Sequence, residues 1–183
     1  NKKNVFNIAV NGNFDDCQNL VKAMFADKPF SDSINMSGVN SINWARIIAQ
    51  SVYYFYSFFL IKDRSQPINF SVPTGNFGDV YAGYLAKKMG LPINKLVVAT
   101  NQNDILHRAI SNGEYGVEKV SETISPSMDI QLASNFERLL YDVNNHDDIV
   151  TTLAMKDIGE KGKYIIDKKK LEKINVDFLS ARV

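Results

Sequence analysis

Apolar positions along the chain recur in two patterns, one typical of β-strands and one typical of α-helices. Short apolar runs predict strands at residues 5–10, 68–72, 95–100 and 164–166. Apolar residues spaced three and four apart predict helices at residues 17–25, 41–61, 81–89, 104–113, 132–143 and 149–158. Because strands and helices alternate, we expect an open, mostly parallel α/β sheet with helices on both faces, in three layers.

The clarity of this pattern differs between two parts of the chain. Residues 1–145 show the regular alternation and are expected to form an α/β domain. Residues 146–183 have a weaker pattern and are expected to be a C-terminal extension, the start of a further segment that is truncated. The chain begins with Asn1 rather than Met, which favours a piece excised from a longer protein.

The helix predicted at residues 41–61 is unusually apolar. It has no charged side chain between Ile47 and Ile61, and Ser41 is expected to cap its start. The run is shorter than the roughly 20 apolar residues that a bilayer requires. We therefore expect a fully buried helix and no membrane span.

Composition narrows the function classes. The chain has 45% hydrophobic and 22% charged residues, as an ordinary globular domain does. Its formal net charge of +1 gives no basic surface for nucleic acid. Cys17 is the only cysteine in the sequence, which favours a reducing compartment such as the cytoplasm. His107, His146 and Cys17 lie too far apart for metal-ligand spacing, so no metal site is expected.

The most informative loop runs from Pro73 to Asp79, between a predicted strand and the next helix. In open α/β sheets, ligands bind beyond the carboxyl ends of the strands, where this loop lies. Gly75 and Gly78 permit a sharp turn, the helix amides favour a phosphate, and Gly78 leaves room for its approach. A tight turn capped by Asp79 explains the same residues equally well. The glycine spacing matches neither a dinucleotide fold nor a P-loop.

Three further polar segments each allow a purely structural interpretation. At 40–46 the helix amides and the Arg46 fork suit an anion, but the residues alone favour simple capping. The run at 101–104 either lines a ligand crevice or makes turn hydrogen bonds. The segment 125–130 reads as a rigid loop that caps a helix.

Taken together and in order, these segments resemble the threonine synthase family. The resemblance is dense over residues 5–143 and loose in the remainder. The matching motifs are Phe14-Asp15-Asp16-Cys17-Gln18, Asn40-Ser41-Ile42-Asn43-Trp44-Ala45-Arg46, Ser71-Val72-Pro73-Thr74-Gly75-Asn76-Phe77-Gly78-Asp79, Ala99-Thr100-Asn101, Ser125-Pro126-Ser127-Met128-Asp129-Ile130 and Ser134-Asn135-Phe136-Glu137-Arg138-Leu139-Leu140.

The resemblance implies a pyridoxal-phosphate lyase of fold type II in threonine biosynthesis. Its reaction converts O-phospho-L-homoserine and water to L-threonine and phosphate, with the cofactor as electron sink. Asp79 is expected to accept hydrogen bonds from loop amides or a cofactor hydroxyl, since a carboxylate repels phosphate. The implied cofactor-binding residues are Gly75, Asn76, Phe77, Gly78 and Asp79. The candidates for the substrate side are Asn40, Ser41, Asn43, Arg46 and Ser127.

The chain also departs from the family pattern. The family's imine-forming lysine is expected upstream, no lysine here lies in a matching motif, and a downstream threonine segment is missing. We therefore expect an internal fragment that is inactive alone, with surface left exposed through which it oligomerises. Two alternatives stay open: a phosphate- or nucleotide-binding α/β module without catalysis, and an interaction domain that docks a partner through the aromatic helix.

Overall fold

The computed structural model describes residues 2–12 and 14–183. By its internal contacts the chain divides into two compact units, Asn1–Gly38 and Val39–Val183. The boundary predicted at residue 145 falls inside the second unit, and the separate status of residues 146–183 stays a prediction.

The first unit contains α1 (Phe14–Ala26) and α2 (Lys28–Ser33). Asp27 caps α2, because its carboxylate accepts a hydrogen bond of 3.1 Å from the N–H of Phe30. No helix was predicted between residues 25 and 41, so α2 adds to the expected elements. The predicted strand at 5–10 is wrong: these residues belong to no strand, and Phe6 and Ile8 are 80% and 85% exposed. A strand is stable only when its main chain pairs with another.

The second unit is an α/β structure, so the predicted fold class is confirmed. A parallel sheet in the order β1–β2–β5 is flanked by helices, and β3 pairs with β4 in a separate antiparallel ribbon. Its elements in chain order are α3 (Trp44–Leu60), β1 (Ile68–Pro73), α4 (Gly78–Lys88), β2 (Ile93–Thr100), α5 (Ile105–Asn112), β3 (Glu114–Gly116), α6 (Phe136–Val143), α7 (Asp148–Lys161), β4 (Lys163–Ile165), α8 (Lys168–Asp177) and β5 (Phe178–Arg182).

The core lies mainly on one face of the central strand β2. Leu96 and Val98 are fully buried there, whereas Val97 and Ala99 on the opposite face are only half-buried. Helices were expected on both faces of the sheet, and cover of the second face of β2 is incomplete within the described residues. Phe178, at the start of the unpredicted strand β5, is buried against the ring of Phe77 at a centroid distance of 5.6 Å.

Helix α3 is buried along one face and not all round, which corrects the sequence expectation. Ile47, Tyr54 and Phe58 face the core, while Tyr53 and Tyr56 are exposed. A helix packed against the core from one side leaves its opposite face uncovered. Whether the exposed face of α3 associates with another molecule stays a prediction. Among the described residues, no helix is long and apolar enough to cross a bilayer.

Close packing between α3 and α4 places the two helices side by side. A Cβ at Gly83 would lie 2.5 Å from the ring of Tyr54 and 2.9 Å from Leu96. Glycine therefore lets α4 approach both α3 and the sheet. This contact fixes the two helix N-termini, where the candidate site lies.

Candidate phosphate-binding site

The loop from β1 to α4 is anchored to the sheet at one end and to the core in the middle. The N–H of Thr74 donates to the carbonyl of Ala99 over 2.8 Å, which continues the sheet pairing for one residue. Phe77 is fully buried and its ring packs edge-on against Phe136 at 5.2 Å. This packing holds Phe77 in the left-handed region, with φ of 66°, at a cost of about 1–2 kcal/mol.

The N-terminus of α4 lacks a side-chain cap. Phe77 occupies the capping position but has no side-chain acceptor, and the first helical hydrogen bond runs from Tyr81 N–H to Phe77 O over 3.0 Å. Within the part of the chain that the structure describes, the N–H groups of Gly75, Asn76, Phe77 and Gly78 have no hydrogen-bond acceptor. Unsatisfied amides at the positive end of a helix dipole form a site for an anion.

Both glycines of the loop lie close to other segments of the chain. A Cβ at Gly75 would lie 3.1 Å from the carbonyl oxygen of Ser127. A Cβ at Gly78 would lie 3.2 Å from Nδ2 of Asn135 and 3.7 Å from the carbonyl of Ser41. We expected Gly78 to leave room for a phosphate, but the side on which its Cβ would stand is occupied by Asn135. A side chain at position 78 would therefore meet the polypeptide on this side.

A second loop, in the segment 117–135 between β3 and α6, lies against the first and carries Ser127. Asp129 anchors it, because its Oδ1 accepts hydrogen bonds from Asn101 over 2.7 Å and from Thr123 over 2.7 Å. Partial desolvation of Asp129 acts to raise its pKa. The hydrogen bonds from Thr123, Asn101 and Asn103 outweigh this effect, so the pKa of Asp129 is lowered. Of the two interpretations of 101–104, the structure shows the turn and loop hydrogen bonds. Ser127 itself is exposed, with its carbonyl beside Gly75.

Asp79 lies in the first turn of α4 but bonds to α3. The hydroxyl of Tyr54 lies 3.1 Å from Asp79 Oδ1 and 2.9 Å from its carbonyl oxygen. This tyrosine donates to the carboxylate in place of the loop amides, and the alternative of a cofactor hydroxyl as donor stays a prediction. Burial raises the pKa of Asp79, and the bond from Tyr54 partly offsets that rise. Burial and the neighbouring Asp79 raise the pKa of Tyr54, so its hydroxyl keeps its proton.

The segment 40–46 lies beside the same helix N-terminus. Asn43 caps α3, because its side chain accepts from Ala45 N–H over 2.9 Å, so the cap is Asn43 and not Ser41. Arg46 is exposed and donates to the carbonyl of Val39 over 3.1 Å. Oδ1 of Asn40 and Oγ of Ser41 are buried and have no hydrogen-bond partner among the described residues. Buried polar atoms without a partner are costly, so each calls for a partner from outside these residues, such as a water molecule or a ligand group.

Asn135 and Arg138 connect these loops, although the sequence analysis singled out neither residue. Nδ2 of Asn135 donates to Ser41 O over 2.9 Å and to Asn76 O over 3.1 Å. Arg138 donates to Asn135 Oδ1 and to Ile42 O, each over 3.0 Å. The available signal was their place in a motif shared with a known family, since the periodicity of α6 marks only apolar positions.

A separate cavity of about 570 Å³ lies between α3, α4, α6 and α7. Trp44, Tyr81 and Tyr141 form its apolar walls. Asp142 faces it, but its carboxylate is already within hydrogen-bonding distance of Lys88 at 3.0 Å and His146 at 3.0 Å. Its acidic group is therefore committed to side chains of the fold.

Comparison with known proteins places this geometry in a family. No family model matches the chain. Threonine synthase of Saccharomyces cerevisiae is 50% identical over 193 residues, covering 99% of this chain and 38% of that protein. The crystal structure of PLP-bound threonine synthase from Brucella melitensis matches with a TM-score of 0.85 at 50% identity, covering 95% of this chain and 38% of that one. The yeast threonine synthase structure matches with a TM-score of 0.81 at 48% identity, covering 96% of this chain and 36% of that one.

The similarity therefore extends over nearly all of this chain but little more than a third of its relatives. At such identity, and with a TM-score of 0.85 to a solved member, sequence and fold agree. The chain belongs to the threonine synthase family and corresponds to a segment of its longer members.

Proposed function

We propose that this chain forms the phosphate-binding wall of a threonine synthase active site, which converts O-phospho-L-homoserine and water to L-threonine and phosphate. The observation that carries the proposal is the uncapped N-terminus of α4, with Phe77 in the left-handed region. Neutral amides supply the positive field there without a cationic side chain.

The residues present fit the phosphate of pyridoxal phosphate. The amides from Gly75 to Gly78 have no acceptor within the described structure, and the two glycines let other loops pack closely behind them. When bound, pyridoxal phosphate supplies an electron sink for charge that develops at the substrate's α carbon. This chain contributes orientation, because a phosphate fixed at α4 holds the cofactor ring in one place.

The remaining candidate residues have distinct roles in this proposal. Asn40 and Ser41 offer buried oxygen atoms near the loop Gly75–Gly78, the phosphate loop. We assign these atoms to polar groups of the substrate or cofactor. Ser127 stands at the opposite wall beside Gly75. Asn43 and Arg46 bind main-chain groups of residues 39–46 and so hold the start of α3. The carboxylate of Asp79 accepts a hydrogen bond from Tyr54, so it does not occupy the amides proposed to bind the phosphate.

A cytoplasmic location and inactivity of this chain alone belong to the same proposal. No lysine here lies in the family's imine-forming motif, so covalent attachment of the cofactor requires a residue outside this sequence. The alternative of a noncatalytic nucleotide-binding module gains nothing from these relatives, which are all threonine synthases.

A segment exchange tests the proposal. The matching segment of the yeast threonine synthase is replaced by this chain, and threonine formation from O-phospho-L-homoserine is measured beside that of the chain alone. We expect the exchanged protein to be active and the chain alone to be inactive. Correctly folded exchanged protein that binds pyridoxal phosphate but forms no threonine would contradict the proposed function, as would turnover by the chain alone.

A further inference from the structure

We propose that Asn135 is a positioning residue that sets the direction of the phosphate-binding amides without touching the ligand. The inference rests on the proposed function of the Gly75–Gly78 loop. Asn135 is fully buried at the start of α6. It acts through main-chain carbonyls of two other loops.

The contacts of Asn135 join segments that are far apart in sequence. Its Nδ2 donates to Ser41 O over 2.9 Å and to Asn76 O over 3.1 Å. Its main-chain N–H also donates to Asn76 O over 3.1 Å. The carbonyl of Asn76 therefore accepts two hydrogen bonds from one residue, and both donors of the side-chain amide are used.

Arg138 determines which way the amide of Asn135 faces. Its Nε donates to Asn135 Oδ1 over 3.0 Å. Because a guanidinium only donates, the amide oxygen must face Arg138 and the NH₂ group must face the two carbonyls. Arg138 is held in turn by Ile42 O at 3.0 Å and by stacking 5.1 Å from the ring of Trp44.

The geometry of a trans peptide transmits this orientation to the binding face. The carbonyl of Asn76 and the N–H of Phe77 belong to one planar unit and point in opposite directions. With Asn76 O bound to Asn135, the N–H of Phe77 points away from Asn135. The left-handed φ of 66° at Phe77 then sets the direction of the next amide, that of Gly78.

Asn135→Asp is the direct test because it keeps the shape of the side chain. Its carboxylate still accepts from Arg138 but cannot donate to Ser41 O or Asn76 O. In the ligand-free chain, we expect the ¹H–¹⁵N resonances of Phe77 and Gly78 to shift or broaden. We expect affinity for pyridoxal phosphate, measured by fluorescence titration, to fall about tenfold or more.

Asn144→Asp is the matched control. Asn144 lies at the other end of α6, is 7% exposed, and donates through Nδ2 to Thr151 over 3.0 Å. It carries the same change of charge at a buried site whose hydrogen bonds, within the described residues, go to α6, α7 and the turn between them. We expect the resonances of Phe77 and Gly78 and the affinity for pyridoxal phosphate to match those of the unmodified chain.

Arg138→Lys keeps the proposal testable if Asn135→Asp does not fold. A lysine cannot donate from the Nε and Nη2 positions together, so the amide of Asn135 loses its fixed orientation. We expect the same resonances to move, with a smaller loss of affinity. Unchanged Phe77 and Gly78 resonances in a folded Asn135→Asp or Arg138→Lys chain would overturn the inference, and so would equal losses in Asn144→Asp.

The two readouts separate this inference from the proposed function. If the unmodified chain binds no pyridoxal phosphate, the proposed function fails. The ligand-free spectra then decide whether Asn135 sets the direction of the Phe77 and Gly78 amides. If the unmodified chain binds and Asn135→Asp binds equally well, the proposed function stands and the positioning role of Asn135 is refuted.

Discussion

The N-termini of α3 and α4 lie in the same unit and both follow polar segments. They differ in whether a side chain caps the first amides of the helix. At α3, the side chain of Asn43 accepts from Ala45 N–H over 2.9 Å, and no acidic residue occupies the first turn. At α4, Phe77 provides no side-chain acceptor and Asp79 lies in the first turn. A helix end satisfied by its own cap has less need of an anion than one whose amides are left open.

The difference shows what distinguishes a structural helix start from a binding one. Polar residues before a helix suit either role, and α3 has the polar sequence that capping requires. At α4 the cap position is taken by an apolar residue that is buried and left-handed. Core packing stabilises that conformation, so the open amides are maintained by contacts of Phe77 and by Asn135.

The largest expected effect comes from separating the two helices. In Gly83→Ala, a Cβ would stand 2.5 Å from the buried ring of Tyr54, so we expect the free energy of unfolding to fall by about 1–3 kcal/mol. Chemical denaturation of the variant and the unmodified chain measures the change.

Gly159→Ala is the control for the loss at Gly83. Gly159 also lies within a helix, α7, and a Cβ there would meet nothing within 4 Å. We expect Gly159→Ala to raise the free energy of unfolding by as much as about 1 kcal/mol. A Gly83→Ala chain as stable as Gly159→Ala would show that α3 and α4 are not packed this closely.

The next effect concerns the phosphate loop alone. Gly78→Val directs a branched side chain at Asn135 Nδ2, 3.2 Å from the position of its Cβ. Because this displaces the residue that holds Asn76 O, we expect pyridoxal phosphate affinity to fall at least about thirtyfold. Asn76→Ala keeps every loop amide and loses only the two hydrogen bonds that Asn76 Oδ1 accepts from Ser134, so it should weaken binding less. Equal affinities for Gly78→Val and the unmodified chain would refute this account.

The cap of α3 provides the converse case. Asn43→Ala removes the acceptor for Ala45 N–H, and we expect the free energy of unfolding to fall by about 1 kcal/mol. Affinity for pyridoxal phosphate should stay within a factor of about two, because the substitution leaves the amides of Gly75 through Gly78 in place. If the variant binds far more weakly at unchanged stability, Asn43 belongs to the binding site and the distinction between the two helix ends is lost.

The smallest effect is the pH dependence due to Asp79. Burial raises its pKa in the folded chain, so its contribution to stability is greatest below the pKa of the unfolded chain. That contribution is lost as pH rises through the raised folded pKa. Asp79→Asn cannot titrate, so its stability relative to the unmodified chain should increase as pH rises across the acidic range. Urea denaturation at several pH values measures this difference, and an opposite slope would contradict the pKa shift.

The sequence predicted the repeating α/β core because its signals are local. The strands at 68–72 and 95–100 and the helices that follow them have clear periodicity, and the structure confirms them. The segment 5–10 has equally clear apolar residues but forms no strand, since pairing depends on a neighbour that local sequence does not specify. For the same reason the strand Phe178–Arg182, which forms the edge of the sheet beside β2, was not predicted.

The sequence predicted the place of the loop between a strand and a helix, but not the contacts that hold it. Two glycines between a strand and a helix were typical of a phosphate loop or of a tight turn at 73–79, and only the resemblance to a known family favoured the phosphate loop. That Gly78 faces Asn135, and that Asp79 turns to Tyr54, depends on residues more than 20 positions away. Such long-range contacts leave no periodic signal in one sequence.

The most direct test of the central claim is a crystal structure of this chain with pyridoxal phosphate. The account predicts the phosphate group about 3 Å from the main-chain nitrogen atoms of Gly75 through Gly78, with Asn43 still capping α3. A phosphate bound instead at the first amides of α3 beside Arg46, or a well-occupied cofactor away from both helix ends, would contradict it.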